Sequence, residues 1–195
     1  EAGKKIIYDL DDDVWALPAS NPAQKIFKAM EQGFGECLKW VDLVTVSTQT
    51  LKSAVRTSLP HMNKEILVTP NAIDFDLLQP SVLDKDDGRI VLGWAGSNTH
   101  DGDMREIALV LPDLLKKYPN LYIEFVGGFV PMNMRGMERV TYKPWVPVGE
   151  FANRFPCWSW NISLAPLEHH RFNASKSNLK MLESAGAKIP CLASD

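Results

Sequence analysis

The chain has 195 residues, a formal net charge of −3 and 45% apolar side chains, an ordinary soluble composition with room for one good core or two small ones. That balance excludes a strong overall basic field of the kind that holds nucleic acid or anionic lipid, and no apolar run approaches the ~20 residues of a membrane span. Cys37, Cys157 and Cys191 are far apart and odd in number, as expected of reduced thiols.

Strand-like and helix-like stretches alternate along the chain. Lys4–Asp9 reads as a buried strand ending in acids. Ala23–Trp40 has helical spacing at Ile26, Phe27, Met30, Phe34 and Leu38. Leu43–Ser47 is a strand and Thr48–Ser58 a short helix, with Ser47 or Thr48 as its N-cap. Glu65–Thr69 is a strand closed by Pro70-Asn71. Gln79–Arg89, with Pro80 and four charges in a row before Gly88, reads as a solvated connection, which sets a domain boundary near 75–88.

The alternation then restarts. Ile90–Trp94 is a strand, Ala95–Gly102 a polar loop, and Asp103–Tyr118 a helix with Ile107, Leu111, Leu114 and Leu115 on one face. Strands follow at Tyr122–Val126 and Val140–Tyr142, a helix at Val148–Phe155, a strand at Asn161–Ala165, a helix at Ser177–Ala187 and a strand at Pro190–Ala193. This order predicts an α/β fold, Rossmann-like, with parallel sheets covered by helices on both faces. Ligands in such sheets sit beyond the carboxyl ends of the strands. The chain starts and stops close to strands, without a leader-like opening, so the expectation is a piece of a longer cytoplasmic protein.

Three constellations carry candidate chemistry. Asp9, Asp11, Asp12 and Asp13 crowd the end of the first strand, where they must be exposed, paired or bound to a cation. A strand ending in Asp-x-Asp is read as the phosphatase motif of the haloacid dehalogenases, a metal site on a sugar nucleotide, an acid-rich cleft wall, or a solvated loop. The second constellation is Gly93–Asp103. Glycines there let backbone approach a ligand, and the following helix offers free N–H groups and a positive dipole end to a phosphate. A tight turn capped by Asp101 or Asp103 is the plainer reading. The third is Asn173–Pro190, where Lys176, Lys180 and Glu183 are spaced to share one helix face, with Ser175 or Ser177 as the cap. Two cations suit a diphosphate and one carboxylate a ribose diol; an ordinary exposed ion-paired face is the alternative.

Ser175–Asp195 resembles the donor-binding segment of the retaining GT-B glycosyltransferases of family 4. There a helix carries two glutamates with seven residues between them, then a turn and a strand ending in Ala-Ser. Glu183 stands at the second glutamate and Ser175 at the first, as in a subgroup with Ser-Lys-Ser-Asn-x-Lys. Ile66–Asp74, with Pro70-Asn71-Ala72-Ile73-Asp74, is similar to the interdomain signature, and Gly93–Asp103 to the first donor loop, with His100 where many relatives carry Arg or Lys.

The resemblance implies part of an acceptor domain over 1–80 and most of the nucleotide-sugar domain over 81–195. It implies transfer of a sugar from a nucleoside diphosphate sugar with retention of configuration, as in polysaccharide biosynthesis. It assigns Lys176, Lys180 and His100 to the leaving diphosphate, and Gly96, Ser97, Ser175, Asn178 and Glu183 to the donor. Asn71 and Asp74 would shape the hinge, and Asp11 and Asp13 would face an acceptor that is a glycan, lipid or protein. No metal or cofactor and no nucleic-acid partner is implied, and membrane contact would be peripheral. The rival expectations are a degenerate GT-B scaffold without catalysis and an Asp-x-Asp phosphatase.

Overall fold

The computed structural model describes residues 3–78 and 87–194. In chain order the strands and helices are β1 (Ile7–Leu10), α1 (Ala23–Lys39), β2 (Leu43–Val46), α2 (Gln49–Ser58), β3 (Glu65–Val68), β4 (Ile90–Gly96), α3 (Asp101–Ala108), α4 (Leu111–Lys117), β5 (Leu121–Gly127), β6 (Val140–Lys143), α5 (Val148–Arg154), β7 (Ile162–Ala165), α6 (Arg171–Ala174), α7 (Leu179–Gly186) and β8 (Cys191–Ala193). Single 3-10 turns form at Val14–Ala16, Asn98–His100, Met132–Met134 and Phe155–Cys157, the second in the stretch read from sequence as a loop and the fourth at the end of an expected helix. No helix among the described residues is long and apolar enough to cross a membrane.

The chain forms two compact units. The first holds, of the described residues, 3–71 and 169–178. Its three strands run parallel in the order β1-β2-β3, with Tyr8 beside Val44 and Val44 beside Ile66. The alternating residues Leu10, Val44, Val46 and Ile66 are buried against Leu38 of α1 and Leu51 and Val55 of α2. Thr48 caps α2: its hydroxyl accepts the Leu51 N–H at 3.0 Å. Of the apolar face expected on α1, Phe27, Phe34 and Leu38 are covered, while Ile26 and Met30 remain exposed.

The second unit holds, of the described residues, 72–78, 87–168 and 179–194. Five parallel strands run in the order β6-β5-β4-β7-β8. Every second residue of β5 from its start (Leu121, Ile123, Phe125) is buried in a cluster with Leu92, Trp94, Met104, Leu111 and Leu115. A further cluster joins Leu78, Phe155, Trp158, Trp160 and Ile189. The helix expected over Asp103–Tyr118 is broken into α3 and α4 at Leu109-Val110. Pro112 lacks the N–H that a continuous helix would direct to the Ala108 carbonyl. That carbonyl instead accepts from the Asn133 amide at 2.7 Å.

The units part between Asn71 and Ala72, before the boundary near 75–88 read from composition and the 80/81 division that the resemblance implies, and 169–178 belong with the first unit. Composition does not mark either crossing, because Ile73 and Leu78 pack on α7: a Cβ on Gly186 would meet Ile73 Cδ1 at 2.7 Å and Leu78 Cβ at 3.2 Å. Residues 79–86, most of the expected connection, lie outside the described residues.

Candidate functional site

In the second unit the strand order reverses between neighbours β4 and β7, which makes their carboxyl ends the switch point where open α/β sheets hold ligands. A cavity of about 560 Å³ opens there. Gly96, Ser97 and His100 line it from the end of β4, Lys180 and Glu183 from α7, and Trp145 and Phe151 from the segment after β6. All its lining residues belong to this one unit.

Glycines set the floor at the end of β4. The Gly128 N–H donates to the Gly96 carbonyl at 2.6 Å. Gly127 sits at φ +96°, and a Cβ on it would lie 2.6 Å from that same carbonyl. A side chain is excluded by strain and by space, so backbone stays accessible at the mouth of the sheet. The chain then makes the 3-10 turn Asn98–His100, capped by the Ser97 hydroxyl, and continues into α3. The first N–H groups of such a helix, and its positive dipole end, favour an anion.

The turn is capped by Ser97, where the plainer sequence reading had Asp101 or Asp103. Asp101 pairs with Arg105 one turn on. Asp103 is buried; its Oδ2 meets His100 Nδ1 at 2.7 Å and its Oδ1 accepts the Glu168 N–H at 2.8 Å. The His100 ring stands edge-on to Trp94, with centroids 6.4 Å apart.

Helix α7 supplies the charges. The Lys180 ammonium donates to the Ala95 carbonyl and lies 5.7 Å from the centre of the Trp94 ring. Glu183, one turn later, has its carboxyl pushed above the ordinary carboxylate range by burial, an effect that the Lys180 charge opposes. Lys176 does not share this face as the spacing predicted. The helix begins only at Leu179, because 171–174 already form a separate turn, and the Lys176 ammonium rests 4.9 Å from the centre of the Phe172 ring.

Ser175 and Asn178 likewise belong to the first unit. Ser175 is buried; its hydroxyl donates to the Arg171 carbonyl at 3.3 Å and its own carbonyl accepts from Thr48 Oγ1 at 2.8 Å. Asn178 is exposed.

The acid-rich stretch of the first unit disperses rather than converging. Asp9 accepts from the Thr45 hydroxyl. Asp11 accepts from the Asn71 amide at 3.3 Å, and the same amide donates to Ser177 Oγ at 2.7 Å. Asp13 is fully buried with Oδ2 on Arg171 Nε at 3.0 Å. Among the described residues, no three His, Cys, Asp or Glu side chains gather as a metal-ligand set.

No family model and no curated protein matches this sequence. Solved structures do match over nearly the whole chain. HepE from Anabaena in complex with UDP-glucose aligns with a TM-score of 0.64 at 13% identity, over 97% of this chain and 53% of that one. The trehalose-6-phosphate synthase OtsA aligns at 0.63 and 14% identity, over 98% and 52%. Its fold is that of the GT-B glycosyltransferases. The pneumococcal O-GlcNAc transferase GtfA, in complex with UDP and GlcNAc, shares this GT-B likeness at 0.56 and 14% identity, over 98% of this chain and 37% of that one. The chain thus spans about half the length of HepE and OtsA.

Of the sequence candidates, Gly96, Ser97, His100, Lys180 and Glu183 line this cavity, and two contacts beside it were not anticipated. Asp103 was legible as a candidate cap of the turn, but not as the partner of His100. Trp160 lies under Gly93, its indole Nε1 donating to Glu124 at 2.8 Å, a contact across 36 residues that no local pattern announces.

Proposed function

We propose that this protein is a glycosyltransferase whose second unit holds a nucleoside diphosphate sugar in the cavity at the β4/β7 switch point. The observation that carries the reading is the gathering of Gly96, Ser97, His100, Lys180 and Glu183 around that one cavity, in a fold built for such ligands. The diphosphate would lie over the Gly96-Ser97 backbone and the start of the following turn and helix. Lys180, kept close by the Ala95 carbonyl, would contribute positive charge to the departing diphosphate. Glu183 would accept hydrogen bonds from the ribose diol. The mostly apolar opposite wall, with Trp145 and Phe151, suits the face of a base.

By resemblance, transfer retains configuration and the acceptor meets the first unit near Asp11, Asp13 and Asn71. A resident metal or cofactor has no role in this reading, and a cytoplasmic location accompanies it. HepE and GtfA are described with UDP bound, which makes UDP the first ligand to try.

Calorimetric titration of UDP and GDP tests the site. Lys180→Ala and Glu183→Ala should each weaken binding by about 1–3 kcal/mol, the scale of a charge-assisted hydrogen bond. Unchanged affinity in both variants would remove the assignment. A non-catalytic scaffold is favoured by one observation: Ser175 stands at the family's first glutamate and spends its hydroxyl on the Arg171 carbonyl. Turnover of UDP-sugar by the protein, followed as UDP release, separates the two. The dispersal of Asp9, Asp11 and Asp13 among separate partners speaks against the phosphatase reading.

A further inference from the structure

His100 lines the cavity and has one ring nitrogen tied to the protein. Nδ1 is engaged with Asp103 Oδ2 at 2.7 Å, in a contact where His100 is 16% and Asp103 7% exposed. A carboxylate has no proton to offer, so Nδ1 must supply it. The other oxygen of Asp103 is held by the Glu168 N–H at 2.8 Å, which fixes the carboxylate plane from the loop after β7. Gly102 makes that closeness feasible: a Cβ there would lie 2.6 Å from Glu168 Oε2.

We infer that Asp103 is a positioning residue that locks His100 as the Nδ1–H tautomer and so presents Nε2, as a hydrogen-bond acceptor, to a ligand in the cavity. A neutral Nε2 accepts from a hydroxyl and does not donate to a phosphate oxygen. His100 would therefore read a hydroxyl of the transferred sugar, while Lys180 and the backbone attend to the diphosphate. This inference rests on the nucleotide-sugar reading for its ligand, though not for the tautomer.

Asp103→Asn separates this role from mere packing. The Glu168 N–H would keep the amide oxygen where Oδ1 is, so the amide NH₂ would fall where Oδ2 was and would donate to Nδ1. The ring would then be forced into the Nε2–H tautomer. Long-range ¹⁵N–¹H NMR on the ligand-free chain, with His100→Gln to assign the signals, reads this directly. The expected result is Nδ1–H in the wild type and Nε2–H in Asp103→Asn; Nε2–H in the wild type, or an unchanged tautomer in the variant, overturns the inference.

Calorimetry with UDP and UDP-glucose tests the ligand half. Asp103→Asn and His100→Gln should each weaken UDP-glucose about 5- to 10-fold, with much less effect on UDP, and the double variant should add little to either. Equal losses for both ligands, additive losses, or full affinity would overturn the assignment to a sugar hydroxyl. A wild-type chain that binds neither ligand refutes the donor-site reading, and with it the ligand half, while the tautomer result stands by itself. If Asp103→Asn fails to fold, the wild-type tautomer and the His100→Gln affinities still decide each half.

Discussion

Gly93→Ala is the most stringent test of how the cavity is walled. Gly93 lies in central strand β4, paired with Glu124 of β5 and Ser163 of β7, so the backbone there is held on both sides. A Cβ on Gly93 would fall 1.7, 2.0 and 2.3 Å from three atoms of the Trp160 ring, where carbon atoms ordinarily rest at about 3.5–4.0 Å. The indole must therefore move by more than a bond length.

It has little freedom to do so. Trp160 is 1% exposed, with Trp158 at 4.7 Å and Phe155 at 5.6 Å between ring centres. Overpacking a core of this kind costs about 1–3 kcal/mol. Pulling Nε1 from Glu124 loses a hydrogen bond to a charged group, about 1.5–3 kcal/mol more. Together the substitution should destabilise the second unit by about 3–5 kcal/mol, measured by urea denaturation with tryptophan fluorescence. UDP binding should weaken as well, because Trp160 lines the cavity. A loss under about 1 kcal/mol would refute the argument that the Gly93–Trp160 contact is unyielding.

Glu183→Gln should separate binding from stability. Burial raises the wild-type carboxyl above 4.5, so the folded protein binds more protons than the unfolded chain just above that pH. Stability present below the unfolded value is thus lost as pH rises through the folded one. The glutamine variant should lack this loss, staying as stable as wild type or more so at pH 7 in urea titrations, yet bind UDP more weakly. Parallel pH–stability curves would contradict the burial argument. Thr48→Ala removes both the bond from the Leu51 N–H and that to the Ser175 carbonyl, and should destabilise the first unit by about 1.5–3 kcal/mol in chemical denaturation. Thr48→Ser should recover most of it, since the hydroxyl returns.

The first unit also shows what burial alone can leave undone. Ile7 of β1 and Leu67 of β3 point to the face of the sheet away from α1 and α2, and are 61% and 43% exposed. Parallel sheets are ordinarily covered on both faces. The strands were legible from their apolar runs, but a run cannot report which of its two faces is covered.

Period and punctuation in the sequence determined the elements. Apolar alternation placed the strands, glycine and polar clusters placed the loops at their carboxyl ends, and the cap of α2 was readable to within Ser47 or Thr48 because its bond spans only three residues. Those signals are local, and so is the chemistry they report. Tertiary structure alone decided which candidates keep company. Lys180 and Glu183 reached the cavity with Gly96 and His100, while Lys176, four residues before Lys180, stayed outside α7 because the chain turns at 171–174 and the helix starts late. Likewise only the fold could seat Trp160 on Gly93 and tie Asp103 to the Glu168 backbone. Such contacts join residues 65 or 67 positions apart, and their free energy comes from burial and close fit, which no single stretch of chain encodes.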